Sequence, residues 1–145
     1  MTASPGLEKS AAVEILIVED NPPDVYLLQS TLRQEYAGCH FHVLETGRDA
    51  FRFLQRQDPY ADAVRPDLVI LDLNLPFRSG EEILGLIRRS EQLRNTVVVL
   101  CSSAPREMTS RWNYLPDAYL PKPSDLTSYF ALGKQIMGCF WSKRG

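Results

Sequence analysis

The chain has 145 residues, of which 44% are hydrophobic, with a net charge of −2. That length suits one domain with a substantial core. The charge leaves no basic stripe of the kind nucleic-acid binding needs, and no apolar run approaches the roughly 20 residues of a membrane span.

Residues 1–12, MTASPGLEKSAA, lack a signal peptide's apolar stretch and read as a flexible tail. The first strand is Ile15-Leu16-Ile17-Val18, short, continuously apolar and rich in β-branched residues. Such a run fits a strand covered on both faces of a parallel sheet. A helix follows near Pro22, with Asn21 as N-cap and Val25, Leu28 and Leu32 on one face. His40 to Leu44 alternates partly and suits a sheet edge. His40 and His42 would share a face there, but with no evident third ligand they read as a solvated edge rather than a metal pair. Ala50, Phe51 and Leu54 mark a second helix. Leu68-Val69-Ile70-Leu71 repeats the buried-strand pattern, and Ile83, Leu84 and Ile87 mark a third helix entered after Gly80.

Val97-Val98-Val99-Leu100 is the next buried strand, followed by a fourth helix expected over roughly Arg106 to Tyr114. Ala118 to Pro121 forms a short fifth strand closed by Pro-Lys-Pro. The last helix is expected from near Ser124 to about Trp141, with Leu126, Tyr129, Phe130, Gly133, Ile136, Met137 and Phe140 on one broad inward face. Alternating strands and helices imply a doubly wound α/β fold. Residues 13–141 form the domain and 142–145 a C-terminal tail. Three cysteines without a CxxC pair argue against a disulfide framework or zinc site and suit a reducing cytoplasm.

Chemistry gathers at the strand ends. The first strand ends in Glu19-Asp20, the central one in Asp72, the fourth in Ser102-Ser103, and the fifth leads into Lys122. In open parallel sheets this rim is the binding crevice. Three carboxylates there repel one another, and Mg²⁺, a hard cation that takes oxygen ligands, relieves the repulsion. Lys122 adds a compact positive charge suited to a phosphate contact. It is one of four lysines against twelve arginines. Such a site stabilises a phosphoryl group in flight, with Asp72 the best-placed nucleophile.

At this point the segments IVEDNPPD, LVILDLNLPFRSG, VVVLCSS and AYLPKP resemble the response-regulator receiver family over residues 13 to about 141. The spacing is specific: Gly80 lies eight residues after Asp72, Ser102 thirty and Lys122 fifty. The resemblance implies a flavodoxin-like (CheY-like) five-stranded parallel sheet of order 2-1-3-4-5 with five helices. It implies Asp72 as phospho-acceptor, Asp20 as a direct Mg²⁺ ligand, Glu19 acting through water, and the Asn74 carbonyl completing the metal shell. Lys122 would hold the phosphoryl group, with Lys122–Pro123 a cis peptide. Ser102 would be the switch hydroxyl, in place of the more frequent Thr, and Tyr119 the aromatic switch.

A sensor histidine kinase would be the donor. The segment VEDNPPDVYLL and the pair Phe140-Trp141 look like the small stand-alone regulators of bacterial phytochrome kinases, which often dimerise through the last helix. Tyr129, Phe140 and Trp141 would then form an apolar patch for a homodimer. The downstream partner is a protein that the sequence leaves unnamed. Cys101 reads as a buried, inert thiol.

Other readings compete. A phosphatase of the haloacid-dehalogenase type would want a general acid two residues after Asp72, where Asn74 stands. A flavin module would want a Ser-, Thr- or Gly-rich loop where Glu19-Asp20-Asn21 stands. A phosphorelay intermediate, passing phosphate to a histidine phosphotransferase, fits the same residues.

Overall fold

The structure is a computed structural model that describes residues 11–73, 75 and 79–144. Five strands, β1 (Val13–Val18), β2 (Cys39–Leu44), β3 (Leu68–Leu71), β4 (Val97–Ser102) and β5 (Ala118–Pro121), form one sheet of order β2-β1-β3-β4-β5. Every pairing is parallel, with Ile15 opposite Leu68, Leu68 opposite Val97, and Val99 opposite Ala118. The expected strand order is the one observed.

Continuously apolar strands are needed because helices cover both faces. Alternate residues feed two cores, as the period of two requires. Ile15, Ile17, Leu68, Ile70, Val97 and Val99 face α1 (Pro22–Glu35) and α4 (Leu126–Arg144). Leu16, Val18, Val69, Leu71, Val98 and Leu100 face α2 (Gly47–Gln55) and α3 (Gly80–Arg89). Each fully buried aliphatic side chain contributes about 1.5–3 kcal/mol relative to exposure.

Local chemistry starts each helix. Asn21 accepts from the Asp24 N–H and Thr46 from the Asp49 N–H, each at 3.0 Å. Ser79 and Glu82 close a reciprocal capping box. The Ser128 N–H donates to Asp125 at 2.8 Å, and α4 begins just after Asp125, at Leu126, near the expected start.

Four expectations are corrected. The fourth helix is only a short 3-10 turn, Arg106–Thr109. Pro105 precedes it without a side-chain cap, and Met108, its one large apolar residue, is exposed. No buried stripe therefore propagates the turn. Among the described residues the cis peptide is Asp58–Pro59; Lys122–Pro123 has the trans form that X–Pro bonds ordinarily prefer. The last helix runs to Arg144, through the segment read as a tail. Finally, Tyr129 and Phe140 lie inside the α1–α4 core at 5% and 1% exposure and cannot form a surface patch. Phe130 and Trp141 point outward instead, because their angular positions on α4 fall beyond the edge of the buried stripe, and Leu126 is exposed at the helix's first residue.

Candidate functional site

The rim at the carboxyl ends of β1, β3, β4 and β5 brings Glu19, Asp72, Ser102 and Lys122 together. The ladders set this up. The Asp72 N–H donates to Val18 O at 3.3 Å, and the Lys122 N–H to Ser102 O at 3.1 Å. Gly80 packs closely beside Asp72. A Cβ there would lie 3.3 Å from the Asp72 carbonyl oxygen and 3.5 Å from the Trp112 ring, so a side chain would press the loop after β3 by a few tenths of an ångström.

Lys122 is the hub. Its Nζ lies 2.7 Å from Glu19 Oε1, 2.9 Å from Asp72 Oδ2 and 3.1 Å from Asp24 Oδ2. Burial alone would depress the lysine's pKa, but its bonds to Glu19, Asp72 and Asp24 outweigh that and hold the ammonium charged. Glu19, nearly sealed from water, is pushed up by burial despite its bond to Lys122. Asp20 stands exposed at the rim. Three buried or half-buried carboxylates thus share one ammonium, with a fourth alongside. Hard oxygen donors are the kind that Mg²⁺ takes, but here Glu19, Asp24 and Asp72 converge on the Lys122 ammonium, and among the described residues no three His, Cys, Asp or Glu side chains are gathered round an ion position. The Asn74 carbonyl, expected in the metal shell, lies outside the described residues.

Ser102 and Tyr119, the expected switch pair, are also joined. Ser102, fully buried, accepts the Ala104 N–H on its Oγ at 3.1 Å, and the Tyr119 hydroxyl donates to the Ala104 carbonyl. Beside the acidic pair opens a groove of about 360 Å³ bordered by Val25, Tyr26, Gln29 and Val43. Burial pushes the Cys101 thiol up to about 12, in keeping with an inert core residue.

Sequence reasoning missed Asp24 and misassigned Tyr129. Asp24 reads as an ordinary acidic residue in a helix's first turn, where the helix dipole favours it. Its position four residues after the acidic pair, one helical turn on, is the only signal that it could return to the site. Tyr129 reads as a core aromatic, yet its hydroxyl donates to Asp24 Oδ1 at 2.6 Å across 105 residues of sequence. Away from the rim, Glu14 lies between the two histidines, 3.2 Å from His40 Nδ1 and 2.8 Å from His42 Nε2. Even so, among the described residues no group of three His, Cys, Asp or Glu side chains is placed to hold a metal.

The fold and this rim define a receiver of the response-regulator class. The response regulator receiver domain profile matches residues 15–131, and the chain belongs to that family. Response regulator Rcp1 of Synechocystis sp. is 33% identical over 129 residues, covering 88% of this chain and 87% of that one. The phosphorylated cyanobacterial phytochrome response regulator RcpA superposes with a TM-score of 0.82 at 32% identity, over 91% of this chain and 96% of that one. The Mn²⁺-bound form of Rcp1 does so with a TM-score of 0.79 at 33% identity, over 89% and 94%. Neither the phosphatase nor the flavin reading gains support from these relatives. Among the described residues no helix is long and apolar enough to cross a membrane.

Proposed function

We propose that the protein takes a phosphoryl group onto the Asp72 carboxylate from a phosphohistidine of a sensor kinase, and signals through changed contacts with other proteins. One observation carries the reading: Asp72, 7% exposed at the end of the central strand, lies 2.9 Å from the Lys122 ammonium. A carboxylate oxygen of Asp72 attacks phosphorus, the new O–P bond forms as the N–P bond breaks, and the departing imidazole nitrogen keeps the bonding pair. Lys122 offsets the charge on the phosphoryl oxygens, which is most of what such a transfer demands. Asp20 and Asp72, with Glu19 acting through water, would hold Mg²⁺, which would add positive charge beside those oxygens. The domain promotes its own phosphorylation and dephosphorylation rather than turnover of a separate substrate. Ser102 and Tyr119 read the result through Ala104.

The likeness to phytochrome response regulators supports a bacteriophytochrome as the donor kinase and the cytoplasm as the place of action. The outward Phe130 and Trp141 of α4 support association with a second copy of the chain, which sedimentation of Trp141→Arg beside wild type would test. Acetyl phosphate with magnesium should label wild type and leave Asp72→Asn unlabelled. Equal labelling of both would sink the assignment. Transfer from a panel of histidine kinases, phytochromes included, identifies the donor.

A further inference from the structure

An ammonium has three N–H donors, and all three of Lys122's have carboxylates to meet: Glu19, Asp72 and Asp24. Asp24 is held from several sides. Its backbone N–H donates to Asn21, its Oδ2 faces Lys122 at 3.1 Å, and its Oδ1 accepts from the Tyr129 hydroxyl at 2.6 Å. The Tyr129 ring is fixed in the α1–α4 core, so its hydroxyl has little freedom to find another acceptor. A hydrogen-bonded path, Lys122–Asp24–Tyr129, therefore joins the rim to the first turn of α4.

A phosphoryl group on Asp72 brings new anionic acceptors within reach of Lys122, and a saturated ammonium meets them only by releasing a bond. Glu19 has the shortest bond and the most buried side chain, at 3% exposure, and Asp72 itself carries the new group. Asp24 has the longest bond and the most exposed side chain of the three, at 23%, so its bond is the weakest.

We propose that Asp24 is a positioning residue for phosphorylation: it competes with the phosphoryl group for Lys122, and Tyr129 holds it when the lysine turns away, so that α4 registers the occupancy of Asp72. This rests on the receiver reading above. Asp24→Asn keeps the shape and removes the competing charge. It should raise the rate constant for labelling by acetyl phosphate at fixed magnesium about fivefold. Tyr129→Phe leaves Lys122 as the main partner of Asp24 and should slow labelling about twofold, an effect that vanishes in the Asp24→Asn background if Tyr129 acts through Asp24.

A purely structural role would not move the second readout, the ring ¹³Cζ signal of Tyr129. Beryllofluoride with magnesium, a phosphoryl mimic, should shift that signal in wild type and leave it in place in Asp24→Asn. Labelling of Asp24→Asn at the wild-type rate overturns the inference, as does a Tyr129 signal that ignores beryllofluoride in wild type or shifts equally in both proteins. So does a Tyr129→Phe effect of equal size in both backgrounds. Wild type that takes no label at all fells the receiver reading and this inference with it, so the two failures are told apart.

Discussion

Ser102 and Tyr119 hold one residue from its two ends, the serine Oγ accepting the Ala104 N–H while the tyrosine hydroxyl donates to the Ala104 carbonyl. The serine cannot turn toward a phosphoryl group on Asp72 without releasing that N–H. Tyr119 is bound to the same segment, so the two movements are linked by geometry. Ala104, Trp112 and Tyr119 pack against one core, which makes Trp112 a reporter of the shift.

Removing the serine hydroxyl should therefore separate chemistry from readout. Ser102→Ala is expected to label within about tenfold of wild type, because Asp72 and Lys122 are untouched, at a stability cost of about 1 kcal/mol for the abandoned Ala104 N–H. Beryllofluoride should change Trp112 fluorescence in wild type and not in the variant, with Trp141 replaced by Phe in both so that one indole reports. A full fluorescence change in Ser102→Ala would show that Tyr119 does not follow Ser102.

Asp20 gives a cleaner test of the metal site, since it is exposed and takes no part in the Lys122 cluster. Asp20→Asn should melt within about 0.5 kcal/mol of wild type in chelator, as surface substitutions do. Magnesium at a hundred times its dissociation constant should stabilise wild type by about 2.7 kcal/mol by mass action. The variant should gain much less. Thermal melts with magnesium and with chelator make the comparison, and equal gains in both proteins would remove Asp20 from the metal shell.

How much of this was legible in the sequence depended on range. The buried strands announced themselves because a sheet covered on both faces needs unbroken apolar runs, as in Val97-Val98-Val99-Leu100. The residues that end those strands, Glu19, Asp72, Ser102 and Lys122, could be placed on one rim from topology alone. Asp24 could not, because its role depends on a hydroxyl 105 residues away. The phase of α4 was legible only in part. Spacing alone allows Tyr129 and Phe140 either a core or a surface place, and their burial in one cluster with Leu28, Leu32 and Val13 decides for the core. The failed fourth helix shows tertiary context at work, since Met108 finds no apolar surface to cover it.

The α1–α4 contact that carries Tyr129 leaves no room at Gly133. A Cβ there would sit 2.2 Å from Thr31 Oγ1 and 2.9 Å from the Thr31 carbonyl carbon, so backbone as well as side chain must move. Gly133→Ala should cost about 3 kcal/mol through overpacking. Gly138, five residues on in the same helix, has open space where its Cβ would go. Gly138→Ala should stabilise by about 0.5–1 kcal/mol through helix propensity alone. Urea midpoints of the two variants give opposite signs if the helix faces are as described, and a neutral Gly133→Ala would contradict the close contact with Thr31.

The cluster of Glu14, His40 and His42 predicts a pH dependence at the opposite end of the sheet. Burial tends to raise the Glu14 pKa, but hydrogen bonds to His42 and then His40 outweigh it, leaving the folded value below the ordinary 4.5. A carboxylate depressed in the folded state adds stability that is present above its unfolded pKa and lost as pH falls through the folded one. Glu14→Gln should therefore be less stable than wild type near neutrality, by about 0.5 kcal/mol for so partly exposed a group. The two proteins should converge as the pH drops below 4.5 and through the folded value. Urea denaturation from pH 7 to pH 3 measures the gap. A difference that stays constant over that range would mean that Glu14 acts through packing, with no net contribution from its charge to the two histidines.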